Sequence, residues 1–273
     1  MPQHRDAFLK LIGSRPLLMG ILNLTPDSFS DGGKFNGREA AMAQARKLVT
    51  DGADIVDVGA ESTRPGATPV PEAEELRRIE PVLGALAEAI DAPISIDTYK
   101  AAVARRAVAL GACVINDVWG LQKDTDMARV VAETGAGVVI MHNRASIEPE
   151  IDILADMRRF FDHSLELAAR ESIPKSRIML DPGIGFGKSQ IQNLQALQGL
   201  PAFADYGLPM LIGVSRKSLL GAVLNSAVDQ RLIGTIATNL AARARGGEIF
   251  RVHDVAEHVT AFKVFEAVSH ARI

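Results

Sequence analysis

Eight short apolar runs recur along this chain, each closed by a polar residue and followed by an amphipathic helical stretch. The runs lie at 17–22, 55–58, 93–96, 113–115, 138–141, 178–180, 210–212 and 249–252. Helical patterning follows at 38–50, 71–90, 100–110, 124–134, 152–171, from about 190, at 228–245 and at 256–270. Pro71 with Glu72, Glu74 and Glu75 is a typical helix start, because carboxylates favour the positive end of the helix dipole. The runs are continuously apolar, as in parallel strands covered on both faces. Eight strand–helix units without a linker predict one closed α/β barrel of the (β/α)8 TIM type over 15–273. Residues 1–14 are expected to be a lead-in that covers the barrel bottom. The competing architecture is an open doubly wound sheet. That fold usually has fewer units and a GxGxxG turn after its first strand. Here the first run is closed by Asn23 and followed by TPDSFSDGGKFNG, which is not that turn.

Composition removes several classes of function. The chain has 273 residues, 47% hydrophobic and 23% charged, as in ordinary globular proteins. Its 30 basic and 33 acidic residues give a net charge of −3, and no basic stripe points to nucleic acid. No apolar run nears the length of a membrane span, and the first residues lack the apolar segment of an export signal. Cys113 is the one cysteine, so internal disulfides are excluded. Its apolar neighbours mark it as a small core residue. A reducing, cytoplasmic setting is expected.

A TIM barrel places its active site at the C-terminal ends of its strands. Those ends read Asn23, Asp57, Asp97, Asn116, Met141, Asp181, Lys217, and Arg251 with His253. Each has a simple local alternative. Asp97 could cap the next helix, Asn116 could shape a turn, and Asp181 before Pro182 could start one. Local roles do not explain why Lys217 and Arg251 converge on the same rim. Together the set suits a flat heterocycle whose amine and ring N–H groups meet carboxylates and a carboxamide. Lys217 would donate to a ring acceptor, and Arg251 is planar enough to stack. A second group, Asn23, Thr63, Arg64, Ser218 and His253, suits an anion. Asn23 could share Mg2+ with substrate phosphates, since that ion takes few protein ligands and several waters. No HxH, HExxH or CxxC pattern indicates a permanent transition-metal site. His142 reads as packed or hydrogen-bonded. The run GFGKS lacks the first glycine of a P-loop, because position 182 is Pro182.

Seven segments carry a family likeness: GILNLTPDSFSDGG, DVGAESTRPGA, ISIDTYK, VINDVWG, LDPGIGFGKS, GVSRKSLLG and RVHDV. They resemble the dihydropteroate synthase family of pterin-binding enzymes. The likeness runs from about residue 17 to the C-terminus. It implies condensation of 6-hydroxymethyl-7,8-dihydropterin diphosphate with p-aminobenzoate, releasing diphosphate for folate biosynthesis. It further implies that Asp97, Asn116, Met141, Asp181 and Lys217 surround the pterin and that Arg251 stacks on it. Asn23, Thr63, Arg251 and His253 would meet the diphosphate, with Mg2+ at Asn23. Phe29, Thr63, Arg64, Pro65, Phe186 and Ser218 would form the p-aminobenzoate site and its closing loops. Lys217, Arg251, Asp97 and His253 are the expected catalytic groups. Two departures stand out. Ala60 replaces a glycine common in the family, and MHNRASIEPEIDI differs from the usual loop after strand five.

The resemblance also implies sulfonamide inhibition and a homodimer, for which Val259, Phe262, Val264 and Phe265 could form the face. Packing of that face on the barrel is the other possibility. Two other functions are compatible with an acidic pterin-like pocket. A methyltetrahydrofolate–corrinoid methyltransferase would share the acidic pocket but not the TPDSFSDGG, STRPG or SRKS segments. A pterin-binding protein without turnover would not need Asn23, Asp97, Lys217 and Arg251 together. Diphosphate release with both substrates separates the three.

Overall fold

The computed structural model describes residues 2–24, 33–62 and 68–271. Within them eight parallel strands close in sequence order, β1 beside both β2 and β8. The strands are β1 (Leu17–Asn23), β2 (Ile55–Gly59), β3 (Ile94–Asp97), β4 (Val114–Asp117), β5 (Gly137–Met141), β6 (Ile178–Asp181), β7 (Met210–Ile212) and β8 (Gly247–Val252). Around them lie α2 (Gly33–Thr50), α3 (Glu72–Ala89), α4 (Ala101–Ala109), α5 (Met127–Thr134), α6 (Ile153–Arg170), α7 (Gln190–Gln198), α8 (Ser218–Leu224), α9 (Leu232–Arg243) and α10 (Val255–Ser269). The expected (β/α)8 barrel is observed, and every predicted run falls on a strand.

Side chains alternate across each strand, as the pleat requires. Leu18, Leu22, Val56, Val58, Ile94, Ile96, Ile115, Ile140, Leu180, Ile212, Phe250 and Val252 belong to the large core shared with the helices. Leu17, Met19, Ile55, Val114, Val139, Met179, Leu211 and Ile249 form a second cluster inside the barrel. Following the same alternation upward, the next inward positions are Asp57, Asp97, Asn116, Met141, Asp181, Gly213 and Arg251. The barrel is thus apolar below and polar above. Strand register carries the polar row sideways: Asn23 pairs with Gly59, Gly59 with Asp97, and Asp97 with Asn116.

The lead-in forms α1 (Pro2–Leu11), and Phe8, 1% exposed, packs into the interior cluster from below. The Arg5 guanidinium donates to the Gly135 carbonyl beyond α5. Cys113 is buried in the same cluster, where burial pushes its thiol up to about 11.

One expectation is corrected. The helix read over 228–245 is shorter, and a separate helix, α8, precedes it. Asn225 ends α8 in the left-handed conformation at φ 50°, and a 3-10 turn at Val228–Gln230 leads into α9. Arg231 folds back across the break, donating to the Ser226 and Arg216 carbonyls. Asn tolerates that conformation because its short polar side chain can bond locally.

Replacing Phe8 by Ala removes an aromatic plug from a close-packed layer, at a cost of about 3–5 kcal/mol. The expected result is a clear fall in the urea midpoint followed by circular dichroism. An unchanged midpoint would show that α1 does not close the barrel.

Candidate active site

Arg251 projects from β8 into the ring of strand ends. Its backbone lies level with Met19 of β1, but its side chain reaches past β1 to two acids on β2 and β3. Nε donates to Asp57 Oδ2 at 2.6 Å and Nη2 to Asp97 Oδ2 at 2.9 Å. Asn116 donates from Nδ2 to the same Asp57 oxygen at 3.4 Å. Asp57 is fully buried, and Asp97, Asn116 and Asp181 nearly so.

These groups are not mutually satisfied. Asp57 Oδ1, Asp97 Oδ1, Asn116 Oδ1 and Ser95 Oγ are buried without a hydrogen-bond partner among the described residues. An unmet buried acceptor costs about 1–3 kcal/mol. Three such oxygens on adjacent strands make a site that calls for N–H donors. Burial, the largest cause, pushes the Asp97 carboxyl up to about 7 against the pull of Arg251. Burial also raises Asp181, with Lys217 opposing.

Across the mouth, Asp181 Oδ1 accepts the Gly183 N–H at 2.7 Å. The turn role considered for Asp181 is therefore real, and its other oxygen faces the site. A Cβ added at Gly213 would lie 3.7 Å from that oxygen and 3.8 Å from Lys217 Nζ. Lys217 donates to the Ile184 carbonyl and sits 4.7 Å over the Phe186 ring. Burial pulls its ammonium down to about 8, with Asp181 the main opposing charge. Met141 is buried at the end of β5, paired in register with Asp181. Asp97 does not cap the following helix, whose N-cap Lys100 has no side-chain cap bond.

The turn after β7 is held in an unusual conformation. Arg216 sits at φ 58°, paired with Asp254, while its N–H meets Thr235 Oγ1 at 3.2 Å. A non-glycine residue held there costs on the order of 1–3 kcal/mol. The turn sets Lys217 on one side and Ser215 on the other. Ser215 Oγ lies 2.9 Å from His253 Nδ1 and accepts the His253 N–H at 3.2 Å, which fixes that ring on the rim. Asn23 is half-buried at the end of β1. Its Oδ1 and the Asp97 carboxylate flank the space where a Gly59 Cβ would stand, at 3.9 and 3.6 Å. Ser218 opens α8 and is exposed.

Thus Asp97, Asn116, Met141, Asp181, Lys217, Arg251, His253, Asn23 and Phe186 meet around one mouth. Phe29, Thr63, Arg64 and Pro65 lie outside the described residues. Three participants have no role that the sequence assigns. Asp57 is named among the strand ends but given no role, although it falls on the inward alternation with Asp97. Ser215 belongs to the SRKS segment, where its hydroxyl suits an anion, but its pairing with His253 is not read there. Lys188, set aside with the incomplete P-loop, staples the loop after β6. Its Nζ donates to the carbonyls of Gly183 at 2.8 Å, Phe186 at 3.3 Å and His142 at 3.4 Å. Burial pulls it down to about 7. His142 is packed as expected, 3.1 Å from Asp156 and edge-on to Phe160.

The start of the loop after β2 is anchored too. Glu61 accepts from Val70 N–H at 3.2 Å and Tyr99 O–H at 3.0 Å, and pairs with Lys100.

The family described as Pterin binding enzyme matches residues 19–253. A dihydropteroate synthase of Clostridium beijerinckii is 45% identical over 94% of this chain and 96% of its own. That of Escherichia coli K12 is 42% identical over 95% and 94%. Among solved structures, a Clostridium difficile dihydropteroate synthase in the presence of pteroic acid superposes with a TM-score of 0.92. It is 48% identical and covers 95% of this chain and 99% of that one. A Xanthomonas albilineans dihydropteroate synthase in complex with 7,8-dihydropteroate gives a TM-score of 0.87 at 42% identity, covering 94% and 95%. A Yersinia pestis enzyme with a sulfonamide drug complex gives 0.88 at 43%, covering 94% and 96%.

Two glycines test how tightly the loop after β6 is packed. Gly183 and Gly207 have φ of 64° and 63°. A Cβ at Gly183 would stand 1.8 Å from the His142 carbonyl oxygen, whereas one at Gly207 meets nothing within 4 Å. Gly207→Ala should cost only the left-handed penalty, about 1–2 kcal/mol. Gly183→Ala should cost clearly more in the same urea titration. Equal costs would mean the loops after β5 and β6 are not interlocked.

Proposed function

The chain belongs to the pterin binding enzyme family, and from that membership and its mouth we infer that it catalyses the dihydropteroate synthase reaction. It joins 6-hydroxymethyl-7,8-dihydropterin diphosphate to p-aminobenzoate and releases diphosphate, a step of folate biosynthesis. The observation that carries this reading is the group of buried, unmatched acceptors beside a lysine and an arginine. A pterin edge supplies the N–H groups those acceptors lack.

Asp97, Asn116 and Asp181 take the amine and ring N–H groups. Lys217 donates to a ring acceptor, Met141 packs on the bicycle, and Arg251 covers its face. Hydrogen bonds to charged groups contribute about 1.5–3 kcal/mol each, so two or three of these dominate binding. Asn23, Thr63, Arg251 and His253 meet the diphosphate. Phe29, Thr63, Arg64, Pro65, Phe186 and Ser218 surround p-aminobenzoate.

Mg2+ is part of the proposal. Asn23 offers one neutral oxygen at the rim beside Asp97. Among the described residues no three or more His, Cys, Asp or Glu side chains gather to hold an ion. An ion at Asn23 would therefore take its remaining ligands from diphosphate and water, which suits Mg2+. It would neutralise charge on the leaving group.

In the reaction the exocyclic C–O bond breaks and the aniline nitrogen forms a C–N bond to that carbon. We assign a dissociative order, because the electron-rich pterin spreads positive charge on the carbon. The amine attacks neutral and loses its proton afterwards, so no strong base is required. His253 and Arg251 stabilise the departing diphosphate, and the pterin-binding groups hold the ring still. Positioning and electrostatics then supply most of the rate.

Sulfonamides should compete with p-aminobenzoate. We also propose a cytoplasmic homodimer. Among the described helices none is long and apolar enough to cross a membrane. Val264 and Val268 of α10 and Ile233 of α9 are exposed apolar groups that support self-association. Phe262, by contrast, packs on Phe250 at 4.5 Å and belongs to the barrel core.

The deciding assay is diphosphate release with both substrates together and with each alone. Release that requires both, with dihydropteroate as product, is expected. Release without p-aminobenzoate incorporation, or none at all, would overturn the assignment. The pH profile is a second test. Asp97 must be ionised to accept and rises to about 7, while Lys217 must be protonated to donate and falls to about 8. For the pterin substrate, kcat/KM reports groups of the free enzyme. It should peak between these values and fall about tenfold per unit well outside them. A flat profile from pH 5 to 9 would remove both groups from the binding step.

A further inference from the structure

We propose that Asp57 is a positioning residue of the pterin site, aiming Arg251 and deciding which end of the Asn116 carboxamide faces the ligand. The inference rests on the reading of the mouth as a pterin pocket. Asp57 lies on β2, paired in register with Ile21 and Ser95 and one inward step below Gly59 at the rim. Its side chain is fully buried below the rim, and the positioning role falls to Oδ2, while Oδ1 has no hydrogen-bond partner among the described residues.

One oxygen does two jobs. Asp57 Oδ2 accepts the Arg251 Nε–H at 2.6 Å and the Asn116 Nδ2–H at 3.4 Å. A carboxylate offers only acceptors, so the amide must turn its NH2 group toward it. Asn116 Oδ1 is thereby directed elsewhere, and it is buried with no partner among the described residues. An amide without that restraint can present either end. The reversed end would set a donor against the N–H groups of the pterin, losing the match.

Arg251 is restrained by the same group. Asp57 holds Nε and Asp97 holds Nη2, so two contacts from different strands fix the plane of the guanidinium. Asp97 alone would leave that plane free to rotate. Nη1 takes no part in either contact. A planar cation fixed in this way can lie over a flat ring without spending binding energy on ordering its own side chain.

The substitution Asp57→Asn keeps the shape but lets Asn116 reverse and takes one carboxylate from Arg251. The expected result is a rise in KM for the pterin diphosphate by on the order of tenfold or more, as for a lost hydrogen bond to a charged group. KM for p-aminobenzoate should stay within about twofold, because uniform binding to that substrate is untouched. The acid limb of kcat/KM should also move to lower pH. Asp97 is faced by Arg251 from β8, Asp57 from β2, Glu75 from α3 and Lys217 from the turn after β7. Removing the Asp57 charge takes away one group that resists its ionisation.

A role in folding alone would raise both KM values or lower only kcat, with the limb unmoved. Either result overturns the proposal, as does an unchanged pterin KM. Should Asp57→Asn fail to fold, the unaltered enzyme supplies the test. The Nε proton of Arg251, observed by 15N-arginine labelling and assigned by loss in Arg251→Lys, should exchange slowly with water. Exchange as fast as in a solvent-exposed arginine refutes the Asp57 contact. If the unaltered enzyme makes no dihydropteroate, the functional reading fails first. The exchange measurement still decides the Asp57–Arg251 pairing.

Discussion

One guanidinium between two carboxylates, closed off by the walls of a parallel barrel, sets the terms for everything at the mouth. Arg251 meets Asp57 and Asp97 across residues 194 and 154 positions away in the chain. Only closure of β8 onto β1 brings these strands together. Replacing such a buried ionic group by apolar residues is often neutral or stabilising, so its presence points to use rather than to stability. The two acids each keep one oxygen unmatched, and a neutral amide does the same. The mouth is assembled to be completed by a ligand.

That arrangement works against the fold at neutral pH. A carboxyl whose folded value is raised is penalised as pH climbs from its unfolded value through the folded one. Asp97, raised to about 7, is such a group, and Asp181 and Asp117 are also raised by burial. Asp117 differs in kind, because it accepts the Trp119 and Leu121 N–H groups and shapes a turn. An ammonium whose folded value is lowered is penalised as pH falls from its unfolded value. Lys217 and Lys188, at about 8 and 7, carry that penalty below those values. Both kinds of cost overlap near neutrality. The apolar lower half of the barrel, sealed by Phe8, offsets them. Stability and chemistry thus occupy opposite ends of the same strands.

Much of this was legible in the chain. The eight strands, their order and the polar ends follow from continuous apolar runs and their punctuation. The lead-in over the barrel bottom followed from its position ahead of the first run. What did not follow was pairing between distant groups. Asp57 carries the same inward parity as Asp97, but nothing local shows that its partner is Arg251. Ser215 and His253 lie 38 residues apart and meet only because the turn after β7 and the end of β8 share the rim. The turn at Asn225 was hidden for another reason, since asparagine is compatible with several conformations and only a backbone φ reports this one.

The space for the ligand was written in the sequence as missing side chains. Gly59 stands on the rim in register with Asp97, and Gly213 follows β7 close to Asp181. At Gly59 a Cβ would come within 3.6 Å of Asp97 Oδ2, and at Gly213 it would come within 3.7 Å of Asp181 Oδ2. At Gly185 it would touch the Lys217 stem at 3.4 Å. Any larger residue at these places would cover the oxygens or the ammonium that recognition requires. A barrel interior is otherwise filled with branched side chains to crystal-like density. Small residues set beside buried, unmatched polar atoms are therefore a physical signature of a binding site. They distinguish these polar strand ends from the helix caps and turns that the same residue types could have formed.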